Sequence, residues 1–555
     1  MHSLLKPPLP SVDTLSLRKQ IAQMIIVRAS GHLFDHQIRY PIWEPSQQQL
    51  EQWIADLGIG GVILLGGSAA EVGLRTQHLQ SLSSIPLLIA ADIEEGVGQR
   101  FDGATWFPPP MAIAQLAKQN LQQAIDYARQ MGSVTAQEAL AIGINWILAP
   151  VVDVNNNPHN PVINVRAFGD TPDAVGELAA AFINGAHQHA VLTSAKHFPG
   201  HGDTSVDSHL HLPTLPHDLT RLKSIEFPPF HAAISAGVDS IMSAHLLLPK
   251  LDAERPATLS RTILTNLLRN EFNFEGLIVT DALVMGAIAD HYGKNEAAVM
   301  AIEAGADVVM MPLDPVGVVD AVEHAVETGR LSSQRIQDSV ERIWWAKQRV
   351  APFPGSTDSS HAWETLPPQS INWSALSTSE ANDCATSILT QSMIVAGDCP
   401  VASVEGGVNI VLLDDHLNTS FLSHHTAAIA TPTHYGYTDL KMIDRHSPGD
   451  VRAFVEASDA PIVLQVFARG NPFRGSAGLS GTARQWLNGI ITSDRLIGLA
   501  IYGSPYMVDE ISSRRARAAK MSSLPMVFSY GHMPAAQTLV MNALFPKAIQ
   551  SSVRL

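Results

Sequence analysis

The sequence predicts an α/β protein: a (β/α)8 TIM-type barrel followed by a second, smaller α/β layered-sheet domain. Three observations predict it. Eight short apolar runs alternate with helix-length segments through the first 350 residues. Five of those runs are followed closely by polar or titratable residues, at Asp92, Asp153, Lys196, His245 and Asp281. A stretch rich in proline and serine then interrupts the pattern before strand-like runs resume.

The eight runs are 24–28, 62–65, 87–91, 145–149, 191–195, 240–244, 277–280 and 307–311. Alanine- and leucine-rich segments such as 121–143 and 174–189 lie between them and read as helices. A doubly wound sheet gives the same alternation. The strand-end residues favour the barrel, which gathers all of them at one C-terminal face. Residues 1–350 are therefore assigned to the barrel. Residues 351–380, with Pro352, Pro354, Gly355, Pro367 and Pro368, read as a linker. Residues 381–555 form the second domain, with strand-like runs at 393–396, 409–413, 461–467, 496–501 and 525–528 and a helix over 481–491.

Composition narrows the function classes. The chain has 555 residues, 46% hydrophobic and 16% charged, which suits large buried cores rather than disorder. A net charge of −16 argues against nucleic acid or an anionic membrane as the main partner. No apolar run is long enough to span a bilayer, and Pro7, Pro8 and Pro10 break the N-terminal stretch, so neither membrane insertion nor a signal peptide is expected and the location is read as cytoplasmic. Cys384 and Cys399 suggest neither a disulfide scaffold nor a zinc site.

The most informative segment is 196–213, which holds one lysine, four histidines and two aspartates, Asp203 and Asp207, around Pro199, Gly200 and Gly202. So many titratable groups read as a loop over a pocket rather than a buried strand. Asp281, at the end of the seventh run, is held by a β-rich segment and suits a nucleophile. The plainer reading of such an aspartate is a cap on the following helix. Asp207-Ser208-His209 offers a carboxylate beside an imidazole. In an extended segment residues i and i+2 point the same way, and the carboxylate would fix the ring tautomer. On its own an Asp-x-His is an ordinary surface pair; with Lys196-His197 and Asp281 the balance moves to catalysis.

Lys196-His197-Phe198-Pro199-Gly200-His201-Gly202, followed by Asp207-Ser208-His209, resembles the signature of glycoside hydrolase family 3 β-N-acetylglucosaminidases of the peptidoglycan-recycling type. Ala149-Pro150-Val151-Val152-Asp153-Val154-Asn155, then Asn160-Pro161-Val162-Ile163 leading to Arg166, and Ile278-Val279-Thr280-Asp281-Ala282-Leu283 follow the family order. The resemblance covers roughly residues 15–350, and 390–535 more weakly. It implies Asp281 as nucleophile, His209 as acid/base and Asp207 as its partner. It also implies Asp92, Arg100, Arg166, Lys196 and His197 as sugar-binding residues, with no cofactor and no metal. His201 is read as ordering the loop, and His245 and Met285 as packing near the pocket. One departure stands out: Glu95 occupies a place where the family commonly has glycine.

Other chemistries compete. His209-Leu210-His211 is an HxH pair that a metal-dependent barrel hydrolase would use, although it lies in a loop rather than on the first strand. A histidine acid/base tolerates an anionic acceptor, so a phosphorylase of N-acetylglucosaminides or β-glucosides is the alternative within the family. A non-catalytic sugar binder would be expected to lack Asp281, Asp207 or His209. The substrate's own acetamido group is an alternative nucleophile. Gly96-Val97-Gly98 lacks the third glycine of a dinucleotide site.

Overall fold

The computed structural model describes residues 9–350, 371–447, 451–456, 458–470, 478–517 and 524–545. All eight runs of the first half are strands: β1 (Ile25–Ser30), β2 (Gly61–Leu65), β3 (Leu88–Ala91), β4 (Trp146–Ile147), β5 (Leu192–Phe198), β6 (Ser240–Ser243), β7 (Leu277–Val279) and β8 (Val309–Met310). They pair in parallel in the order β7-β6-β5-β4-β3-β2-β1-β8. A bridge between Val279 and Val308 joins the two ends, so the sheet curls into a barrel. Strands covered on both faces read as continuous apolar runs, which is why they were legible.

The intervening helices start where side chains can satisfy their first free N–H groups. Ser68 and Glu71 form a capping box on Ala69–Leu82. Asn120 caps Leu121–Ala141, and Asp314 caps Pro315–Glu327, which has proline in its first turn. The strand N-terminal side of the barrel is tied by buried charge. Asp307 meets Arg269, Arg335 and Arg342, and Lys347 donates to Gln23, Gly60 and Pro86. That face serves stability, which leaves the opposite face for chemistry.

The second domain holds β9 (Ile394–Ala396), β10 (Val408–Leu412), β11 (Asp439–Ile443), β12 (Ile462–Ala468), β13 (Leu496–Gly503) and β14 (Met526–Ser529). Their order is β11-β10-β12-β13-β14-β9, with β9 alone antiparallel. Strand β11 has no counterpart among the expected runs. It is an edge strand, half-exposed along Asp439-Leu440-Lys441-Met442, so it carries no continuous apolar signal.

The linker expected at 351–380 lies outside the described residues up to 370. From 371 onward the chain is already packed on the barrel. Asn372 donates its N–H to the Ala141 carbonyl at 3.0 Å, and Ser377 donates its N–H to Glu138 at 2.7 Å. The helix Ser379–Ser392 continues this contact, with Gln391 donating to the Tyr127 hydroxyl at 2.8 Å. Cys384 and Cys399 are free thiols. Among the described residues no helix is long and apolar enough to cross a membrane.

Candidate active site

Strand β5 runs to Phe198, so Lys196 and His197 sit in the strand rather than in a loop after it. Residues 196–202 are buried, contrary to the expectation of an open loop. The reason is charge pairing that a one-dimensional reading does not show. Lys196 donates to Asp92 at 2.7 Å, and its Nζ lies 2.7 Å from the Glu94 carboxylate. Arg166 forks onto both oxygens of Glu94, Nε to Oε2 and Nη2 to Oε1, each at 2.8 Å. Burial raises the Glu94 carboxyl's pKa, but Arg166 and Lys196 outweigh it and hold the group well below its usual range. Burial lowers the Lys196 ammonium, yet Asp92 and Glu94 leave it above its usual value.

Glu94 was visible in the sequence only as one more acid behind β3. In the structure it is the hub that joins Arg166, from the loop after β4, to Lys196 on β5. Asp153 plays the same part for His197. Its carboxylate accepts from the His197 N–H at 3.1 Å and lies 2.8 Å from Nδ1. A carboxylate only accepts, so this contact places the ring proton on Nδ1. Arg100 is different: it is exposed, and its Nε donates to the Asp92 carbonyl at 3.0 Å.

Asp207 and His209 are joined, through a turn rather than the extended segment expected. Asp207 Oδ1 accepts from the His209 N–H and from Nδ1, both at 2.9 Å. His201 orders this loop. One ring nitrogen contacts Ser208 Oγ and the other Thr204 Oγ1, each at 2.9 Å. Burial pushes His201 down to about 4, so the ring is neutral at ordinary pH. Gly202 allows the loop to lie on the chain after β4, where a Cβ would meet the Val154 carbonyl at 1.7 Å. The two histidines of the HxH pair part company: His209 is half-buried beside Asp207, and His211 is exposed.

Asp281 follows β7 and does not cap a helix. Its Oδ1 accepts from the Ala282 N–H at 2.7 Å, while the next helix, Gly286–Tyr292, begins after Met285. Burial raises its carboxyl, but His245, His197 and His209 more than offset this and bring it below its ordinary value. A carboxylate kept ionised among three imidazoles suits attack on an electrophilic carbon. His245 is buried, which pulls its imidazole below its usual value, with Nε2 3.0 Å from the Ala282 carbonyl and Nδ1 2.8 Å from Thr258 Oγ1, so it braces the Asp281 turn. The Gly286 N–H donates to the His209 carbonyl at 3.1 Å, which ties the His209 loop to the segment after Asp281.

The second domain reaches this face. Tyr506 accepts from Asn155 at 2.8 Å, His532 stands edge-on to Trp106, and Arg469 forks onto Glu95. A separate cleft of 580 Å³ is lined by Met111, Asp170, Tyr506 and Tyr530 among others, and none of Asp92, Glu94, Arg166, Lys196, His197, Asp207, His209 or Asp281 lines it.

Comparison with known proteins identifies the family. Residues 16–346 match the glycosyl hydrolase family 3 N-terminal domain, and 401–546 match the bacterial glycosyl hydrolase family 3 C-terminal domain. A β-hexosaminidase A of Pseudoalteromonas piscicida is 36% identical over 333 residues, which span 54% of this chain and 55% of that one. A β-hexosaminidase of Nitrosomonas eutropha is 35% identical over 295 residues, 51% of this chain and 84% of its own length. A solved family 3 β-N-acetylglucosaminidase from Paenibacillus sp. str. FPU-7 superposes with a TM-score of 0.75 at 27% identity, over 95% of this chain and 96% of that one. With more than half its residues inside one family domain and the barrel folded as that family requires, the chain belongs to glycosyl hydrolase family 3 and is a glycoside hydrolase.

Proposed function

We propose that the protein is a retaining exo-β-N-acetylglucosaminidase. The observation that carries the reading is the Asp207–His209 pair, tied through Gly286 to the segment behind an ionised Asp281. β-Hexosaminidase relatives at 35–36% identity support the sugar, and the pairing supports the chemistry.

In this reading Asp281 attacks the anomeric carbon and forms a glycosyl ester as the bond to the leaving oxygen breaks. His209, its Nδ1 held by Asp207, gives the Nε2 proton to that oxygen. The same nitrogen then takes a proton from water, whose oxygen attacks the anomeric carbon and frees Asp281. Two inversions give net retention. Lys196 donates to sugar hydroxyls, and His197, through Nε2, and Asp92 accept from them. Arg166 acts through Glu94, and Arg100 closes the outer rim. Atoms and charges balance without a cofactor or a metal. The substrate class proposed is peptidoglycan-derived fragments with a terminal N-acetylglucosamine, met in the cytoplasm.

Release of nitrophenol from an aryl β-N-acetylglucosaminide and from the β-glucoside, with and without phosphate, tests the reading. Turnover of the acetamido sugar, indifferent to phosphate, is expected. A sugar phosphate product would make the enzyme a phosphorylase, which an imidazole acid/base accommodates more easily than a carboxylate. Failure to turn over either glycoside would overturn the reading.

A further inference from the structure

Glu94 and Glu95 are adjacent and both buried, yet their charges are met by different domains. Glu94 is paired within the barrel. The Glu95 side chain has no exposure, and it accepts the Trp106 indole N–H at 3.2 Å. Its cation comes from the second domain: Arg469 Nη1 donates to Oε2 at 3.0 Å, and Nη2 donates to Oε1. Arg469 follows β12 directly, beside the point where the order β11-β10-β12 reverses in that sheet. Strand C-terminal ends at such a reversal are where open α/β sheets present functional residues.

Glu95 is also stitched into the loop behind β3. Its N–H donates to Gln99 at 3.0 Å, and its carbonyl accepts from the Phe107 N–H at 2.8 Å. That loop carries Asp92, Glu94 and Arg100. The next residue of the second domain, Gly470, abuts the loop that carries Arg166, where a Cβ would meet Asn164 at 2.8 Å. One point of the second domain thus touches both loops of the sugar cage.

We infer that Arg469 is a positioning residue. Through Glu95 it holds the segment 92–100 in place against Lys196 and Arg166, so the barrel of this chain depends on its second domain for sugar binding. The inference rests on the reading of this face as a sugar site. Without Arg469 the Glu95 carboxylate is a buried charge with no cation, and the loop relaxes towards water to relieve it. A glutamine at 95 removes that need.

The test compares Arg469→Met, Glu95→Gln and the double variant in the full chain. Arg469→Met is expected to raise KM for the aryl N-acetylglucosaminide about tenfold or more while kcat stays within about threefold, because Asp281, Asp207 and His209 are untouched. The double variant is expected to recover most of the lost affinity. Hydrogen exchange gives a readout independent of substrate: peptides covering 92–101 should exchange faster in Arg469→Met and return towards wild-type protection in the double variant, while 207–211 stay as they were. Wild-type KM and exchange in Arg469→Met would overturn the inference. So would a double variant as impaired as Arg469→Met, which would mean that docking of the domains, not the charge, is what matters. Lack of turnover by the wild type would count against the sugar reading alone, since the exchange arm still decides this one.

Discussion

Asp207→Asn is the most discriminating single perturbation of the proposed acid/base. Asp207 is buried, with 1% of its side chain exposed, and one oxygen accepts both the backbone N–H and the Nδ1 proton of His209. Asparagine keeps the shape and a neutral acceptor but loses the charge that favours the imidazolium. A hydrogen bond to a charged group is worth about 1.5–3 kcal/mol. At about 1.4 kcal/mol per tenfold in rate, the loss is roughly 10- to 150-fold for substrates whose leaving group must be protonated. An aryl glycoside whose phenol leaves unprotonated escapes most of this in its first step. The assay is kcat/KM across aryl β-N-acetylglucosaminides of graded phenol acidity. The expected result is a steeper dependence on leaving-group acidity than in the wild type, the largest deficit falling on the least acidic phenol. An equal deficit across the series, or none, would refute the acid/base assignment.

Three further outcomes follow from the geometry. Asp281→Ala should lower turnover by about three orders of magnitude or more while the melting temperature is kept, because among the described residues the side chain's hydrogen bond is to its neighbour's N–H; normal turnover would remove it as nucleophile. Gly286→Ala would place a Cβ 2.9 Å from the Leu210 carbonyl and 3.2 Å from that of His209, pushing the His209 loop outward. Its kcat/KM should fall about tenfold further on a poor leaving group than on an activated one, and a uniform fall would argue against loop displacement. His201 is depressed to about 4, so the unfolded chain holds a proton that the native ring refuses. Its contribution of about 3 kcal/mol is present above about pH 6.5 and is lost as pH falls towards 4. In His201→Gln, urea midpoints measured at neutral and acid pH should therefore differ less than in the wild type.

The sequence revealed most where partners are close along the chain or where burial is two-sided. Eight barrel strands were readable because strands such as Leu88–Ala91 are buried throughout. Asp207 and His209 were readable because they are two residues apart. Lys196 was misplaced into a loop because the carboxylates that make its burial tolerable, Asp92 and Glu94, lie some hundred residues away. Glu94 and Asp153 showed only as acids behind strands, with nothing local to distinguish a hub from a surface charge. The same limit hid Arg469: its partner Glu95 is 374 positions distant, and the only trace was a glutamate where the resemblance leads one to expect glycine.

The proposed chemistry rests on Asp281 as the group that takes the sugar. The direct measurement is incubation with a fluorosugar that forms its glycosyl-enzyme faster than it releases it, followed by digestion and mass spectrometry. A stoichiometric adduct is expected on a peptide containing Asp281, absent from Asp281→Ala. An active enzyme that carries no adduct, or carries it on another carboxylate, would contradict that chemistry.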